Sequence, residues 1–290
     1  MLRRLFMLVF LLLVFGVGLF ALFSLTGFLQ GGQIDARDLA RWNYTQDGYI
    51  VGTQPFTLEG ETQRCWLLIH SYGATPKEMS ELAHRIHNEF IDTVRVVRLL
   101  GHATVPSDMQ QYSYEDWYEQ VAQEYEQLPC SQVIVVGSSI GGALALELGQ
   151  EYEVEKLVIL NPFLSTMYED LLASAPVVHF AKKHNVAQIH DPRGREQHIA
   201  YMNMPFEPLL NSFSRLANVE QNLESIEQPI LIMHGPFDRT SSPSVPITIY
   251  DSVASSQKEL LWMDQSNHIL LMDYQREQVI QEILAFAREE

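Results

Sequence analysis

Short apolar runs bounded by turn residues alternate along this chain with segments whose apolar positions recur every three or four residues. Cys65–Ile69, Val94–Leu100, Val133–Val136, Lys156–Leu160, Pro229–His234 and Glu259–Met263 are rich in Val, Ile and Leu, as strands covered on both faces require. Between them, Pro76–Phe90 sets Met79, Leu82, Ala83, Ile86 and Phe90 on one helical stripe, and Tyr114–Leu128 does the same with Trp117, Val121, Tyr125 and Leu128. Further helices are expected up to Gln150, over Ser242–Val253 and over Ile269–Arg288. Upstream, Gly48–Gly52 and Gln54–Leu58 alternate and are broken by Gly and Pro, which predicts short strands of an antiparallel entry. Repeated strand and helix order with right-handed crossovers predicts an α/β domain, residues 48–290, built on a mostly parallel, doubly wound sheet.

From Asn161 to Gln228 this alternation stops. The segment reads as helices and loops carrying Phe163, Met167, Tyr168, Phe180, Tyr201, Met202, Met204 and Phe206, the composition of a lid over a site. The plainer reading, the core of a helical subdomain, accounts for most of these side chains.

The N-terminus follows a different pattern. No charged residue occurs from Leu5 to Leu29, a length that at helical rise exceeds a hydrocarbon core of ~30 Å. Arg3 and Arg4 precede it, while Asp35, Arg37, Asp38 and Arg41 follow with mixed sign. The expectation is a retained signal anchor over residues 1–30, a single-pass transmembrane helix in the inner membrane with the α/β domain on the periplasmic or extracellular side. A signal peptide cleaved beyond Thr26 is the alternative. Residues 31–47 are polar and read as a linker or wrapping arm.

Composition sharpens this outline in two ways. The formal net charge is −17, and setting aside Arg3 and Arg4 leaves −19 for the rest, which argues against nucleic acid as a partner. Two cysteines are too few and too far apart for a zinc cluster or a redox C-x-x-C. Cys65 opens one predicted strand and Cys130 precedes its neighbour, so a disulfide is one reading and two separate buried thiols the preferred one.

The chemistry centres on Gly137-Ser138-Ser139-Ile140-Gly141, which fits G-x-S-x-G at a strand-to-helix turn and exposes Ser139 as the candidate nucleophile. A serine hydroxyl needs a histidine to take its proton and an acid to orient that histidine. On this architecture the order is Ser, acid, His. Of the ten histidines only His268 lies after Asp238. Asp170, Asp191, Asp238, Asp251 and Asp264 all stand between Ser139 and His268; Asp238 is favoured because it follows a strand by a short loop at the carboxyl edge, with Asp264 second. Donors to an oxyanion are expected from the N–H of Ile140 and from the loop after Cys65–Ile69, at Tyr72. His70 and His234 are expected to hydrogen-bond the loops at the sheet edge. His179, His184, His190 and His198 show no zinc spacing, so no metal and no cofactor is assigned.

Together His70-Ser71-Tyr72-Gly73, the Ser139 elbow, His234-Gly235 with Asp238, and Ser266-Asn267-His268 with Met272-Asp273 resemble the α/β-hydrolase superfamily, and within it the bacterial carboxylesterase and monoacylglycerol lipase branch. The resemblance runs from about Gly48 to the C-terminus. It implies an α/β-hydrolase fold with a lid at about 161–228, Ser139, Asp238 and His268 as triad, Tyr72 and Ile140 as oxyanion donors, and a small-molecule or lipid-like ester as substrate. Ser71 and Asn267 depart from the family, which usually has glycine at both places, and the anchor is an addition to a mostly soluble family. The expected activity is that of a membrane-anchored serine esterase. Acyl transfer, thioester cleavage or peptide hydrolysis on the same fold, and a non-catalytic anchored binding protein, are the alternatives.

Overall fold

The computed structural model of the chain describes residues 7, 13–18, 35–164, 189–205 and 207–289. Seven strands form one sheet: β1 (Phe56–Leu58), β2 (Arg64–Ile69), β3 (Thr93–Val96), β4 (Gln132–Ser138), β5 (Lys156–Leu160), β6 (Ile230–His234) and β7 (Lys258–Trp262). Their order is β1-β3-β2-β4-β5-β6-β7, with β1 antiparallel at the edge and every other pair parallel.

The sheet is covered on both faces because alternate side chains of each strand point to opposite sides. Cys65, Leu67, Ile69, Val133, Val135, Leu157 and Ile159 face a layer that includes α3 (Tyr114–Glu126), α4 (Ile140–Glu151), α6 (Glu207–Gln221) and α7 (Val245–Ser252). Trp66, Leu68, Ile134, Val136, Val158 and Leu231 face α2 (Ser80–Phe90) and α8 (Arg276–Phe286). These are the continuous apolar runs of the sequence, and their burial on both faces is why they lack polar alternation.

Two smaller helices flank this framework, α1 (Ala36–Arg41) before the sheet and α5 (Pro192–Gln197) between β5 and β6. Residues at α1 lie against the domain: the Asp35 carboxylate accepts from Ser107 N and Oγ at 2.8 and 2.7 Å, and buried Asp38 accepts from Met202 N at 2.9 Å.

Several expectations change in detail. Gly48–Gly52 is no strand; both glycines have φ near +80° and turn the chain, leaving only a single bridge between Tyr44 and Ile50. The expected terminal helix is split into a 3-10 turn at Leu270–Met272 and α8, because extended Asp273 interrupts the helical backbone. Cys65 and Cys130 form a disulfide, with Cα atoms 5.6 Å apart, rather than two separate thiols. Parallel registry of Cys65 with Val133 sets Cys130, just before β4, beside it.

The larger correction concerns the N-terminus. Among the described residues no helix is long and apolar enough to cross a membrane. This corrects the expected transmembrane anchor, the membrane as a partner through it and the single-pass inner-membrane placement: none of them has a spanning helix among the described residues. They rest on the composition of Leu5–Leu29, which apart from Met7 and residues 13–18 falls outside the described residues, as does the alternative cleavage beyond Thr26. Within the expected lid, Phe163, Tyr201 and Met204 are buried, whereas Met167, Tyr168, Phe180 and Phe206 lie outside the described residues.

Candidate active site

The carboxyl ends of β4, β5 and β6 and the loop after β7 converge on Ser139, the residue between β4 and α4. Its φ of 56° and ψ of −116° are strained for a residue with a side chain. The turn closes only because its flanks are glycines. A Cβ on Gly137 would lie 2.0 Å from Gly141 O, and one on Gly141 would lie 2.4 Å from Ile69 O. The second contact also shows that the end of β2 rests on the first turn of α4.

Ser139 Oγ lies 2.8 Å from His268 Nε2, and His268 Nδ1 lies 2.6 Å from Asp238 Oδ2. The three residues are 3%, 2% and 2% exposed, so this polar chain is shielded from bulk water. Burial by itself would raise the Asp238 carboxyl, but the adjacent His268, then His234 and the Thr240 N–H, hold it below the usual carboxylate range. The Asp238 carboxylate also accepts from Thr240 N at 2.7 Å and Ser241 N at 3.3 Å, which fixes the acid in its loop. An anion so held keeps the His268 proton on Nδ1 and leaves Nε2 free to accept from the serine.

The other aspartates between Ser139 and His268 sit elsewhere. Asp191 caps α5 and pairs with Arg276 at 2.6 Å, Asp251 and Asp264 are exposed, and Asp170 lies outside the described residues. Ile140 opens α4, and Tyr72 sits in the loop after β2, its hydroxyl donating to Pro205 O at 2.5 Å.

The neighbouring histidines divide. His70 bridges Ser71 O at 2.9 Å and Leu99 N at 3.2 Å, tying the loop after β2 to the chain beyond β3. His234 departs from its expected hydrogen-bonding role. Neither ring nitrogen has a hydrogen-bond partner among the described residues; Nε2 stands 3.8 Å from Asp238 Oδ2, and the ring packs edge-on to Trp262 at 5.7 Å. Burial pushes His70, His198 and His234 down to about 4, so all three are neutral at pH 7. His190 lies near Asn267 at 3.4 Å, while His179 and His184 are outside the described residues. Among the described residues no three His, Cys, Asp or Glu side chains gather to hold a metal.

Two supporting residues are not among the candidates read from the sequence. Asn161, directly after β5, donates from Nδ2 to Asn267 O and His268 O and accepts at Oδ1 from Gly235 N. Its position after a buried parallel strand is the same signal that singles out Asp238. Asp273 accepts from the backbone N–H of His190, Asp191, Asn267 and Tyr274, joining the His268 loop to the chain that enters α5.

The chain is similar to several known proteins. The family described as Serine aminopeptidase, S33 matches residues 101–275, more than half of the chain. The carboxylesterase of Bacillus subtilis (strain 168) is 24% identical over 241 residues, which cover 82% of this chain and 97% of the relative. The thermostable monoacylglycerol lipase of Bacillus sp. (strain H-257) is 26% identical over 242 residues, covering 82% and 95%. Among solved structures, a metagenome-derived lipolytic enzyme aligns with a TM-score of 0.75 at 26% identity, covering 83% of this chain and 100% of its own.

Proposed function

Because the chain belongs to the Serine aminopeptidase, S33 family, and to the esterase and lipase branch of the α/β-hydrolase superfamily, we propose that this serine hydrolase cleaves carboxylic esters through an acyl-enzyme on Ser139. The observation that carries the reading is the buried hydrogen-bonded chain from Ser139 through His268 to Asp238. His268 Nε2 takes the Ser139 proton as Oγ attacks the ester carbonyl, and the resulting imidazolium is stabilised by Asp238. The N–H groups of Tyr72 and Ile140 receive the oxyanion of the tetrahedral intermediate. Collapse expels the alcohol, protonated by His268; water activated by the same ring then releases the acid and restores Ser139.

The substrate class proposed is an uncharged ester of small or medium acyl chain, monoacylglycerols included. The names of the two Bacillus relatives support it, one a carboxylesterase and the other a monoacylglycerol lipase. The test is hydrolysis of p-nitrophenyl butyrate and of a monoacylglycerol by the purified protein beside Ser139→Ala. Turnover by the parent and its loss by at least ~10³-fold in the variant are expected; equal rates in both would remove Ser139 from the reaction.

A further inference from the structure

A buried carboxyl group lies two hydrogen bonds from the serine turn, and the triad does not use it. Glu78 sits in the 3-10 turn Pro76–Met79 and is 1% exposed. Its Oε1 accepts from Ser71 Oγ at 2.8 Å and its Oε2 from Ser71 N at 3.2 Å. Ser71 Oγ lies in turn 2.9 Å from Ser138 Oγ. Ser71 and Ser138 are 2% and 1% exposed. Among the described residues no Lys or Arg pairs with Glu78. An acidic side chain buried without a cation is costly to the fold, so its position asks for a compensating role.

That role follows from which residues the network grips. Ser71 directly precedes Tyr72, and Ser138 directly precedes Ser139, whose next neighbour is Ile140. One carboxyl group therefore fastens together the two backbone segments that carry both proposed oxyanion donors. The Tyr72 loop is also held from the expected lid, since Tyr201 N donates to Gly73 O at 2.8 Å and Tyr72 Oη to Pro205 O. Glu78 supplies the second anchor, from the turn Pro76–Met79. Ser71, which replaces the glycine usual in the resembling family, and Ser138, at the variable position of G-x-S-x-G, are the hydroxyls that make this anchor.

We propose that Glu78 is a positioning residue which, through Ser71 and Ser138, sets the Tyr72 and Ile140 N–H groups at the spacing the oxyanion requires. The proposal rests on the ester-hydrolase reading above. Its energetic basis is that preorganised donors stabilise the transition state without reorganising, so a loop free to drift loses transition-state binding more than substrate binding. Burial raises the Glu78 carboxyl above its ordinary value, favouring the neutral acid, which a glutamine mimics in shape and hydrogen bonding.

The experiment measures kcat and KM on p-nitrophenyl butyrate, and the inhibition constant of phenylboronic acid as a tetrahedral mimic, for the full chain, Glu78→Ala and Glu78→Gln. In Glu78→Ala, kcat should fall ~30-fold and the boronate should weaken by a similar factor, with KM changed less than ~2-fold. Glu78→Gln should retain at least about a third of the parent kcat. Should Glu78→Ala fail to fold, Ser71→Ala and Ser138→Ala replace it, with smaller falls in kcat and boronate affinity expected together. Parent kcat in the truncated variants, a change confined to KM, or a glutamine variant no better than alanine would each overturn the role. A parent protein that turns over no ester fails at the earlier step, the ester-hydrolase reading itself.

Discussion

Asn161 holds the main chain at His268: its Nδ2 donates to His268 O at 2.5 Å and to Asn267 O at 2.9 Å, while its Oδ1 accepts from Gly235 N at 2.8 Å. One side chain at the end of β5 thus sets the loop of the proposed base against the loop of the proposed acid. Asn161→Ala strands three buried backbone groups and should cost at least about 2 kcal/mol in chemical denaturation. It should also lower kcat by ~10-fold, since the imidazole loses its fixed approach to Ser139. Unchanged kcat in the folded variant would separate the clamp from the chemistry.

Acid should unfold the protein through its neutral histidines. His70, His198 and His234 are held down to about 4 by burial, whereas in the unfolded chain a histidine takes its proton near ~6.5. The unfolded state therefore binds protons first, and stability present above pH ~6.5 is lost as pH falls toward 4, by up to roughly 3 kcal/mol per histidine. His234 has no hydrogen bond to lose among the described residues. His234→Leu should therefore shift the acid unfolding midpoint to lower pH, as followed by circular dichroism, and an unshifted midpoint would exclude this ring as a source of acid lability.

The Cys65–Cys130 disulfide closes a loop with a sequence separation of 65 residues. Chain-entropy arguments put its contribution at about 4 kcal/mol, through the unfolded state. Reduction, or the paired change of both cysteines to serine, should lower the melting temperature while leaving kcat of the folded protein unaltered, because the bond lies at the end of the sheet away from Ser139. Equal melting temperatures with and without reductant would show that the bond is not formed in solution.

Asp38 of α1 accepts from Met202 N at 2.9 Å and is fully buried. Removing it in Asp38→Ala should speed amide hydrogen exchange over 200–205, the stretch that also receives Tyr72 Oη at Pro205. Exchange rates matching the parent would mean that α1 does not restrain this stretch.

The sheet and the order of the triad candidates are legible in the sequence because each leaves a local trace. Trp66 to Ile69 in β2 and Leu157 to Leu160 in β5 are apolar runs, and Gly137 and Gly141 mark the tight turn at Ser139 by composition alone. Asp238 and His268 stand out because each follows a strand at the carboxyl edge. Side chains whose partners are distant in sequence leave no such trace: Asn161 with His268, Glu78 with Ser138 through Ser71, and Asp273 with His190. Hydrogen bonds across such separations carry no periodicity. The split before α8 is hidden for a related reason, since Ile269–Met272 continues the helical apolar spacing while the Asp273 carboxylate binds backbone N–H groups. The expectation of an anchor rests on the uncharged length of Leu5–Leu29 and the charges that flank it, and among the described residues no helix is long and apolar enough to cross a membrane.

The most direct measurement is fluorophosphonate labelling of the full chain followed by peptide mapping by mass spectrometry. A single adduct on Ser139 is expected, absent in Ser139→Ala and formed at least ~10²-fold more slowly in His268→Ala, because Oγ then lacks its proton acceptor. An adduct on another residue, or labelling that persists in Ser139→Ala, would contradict the assignment of Ser139 as nucleophile.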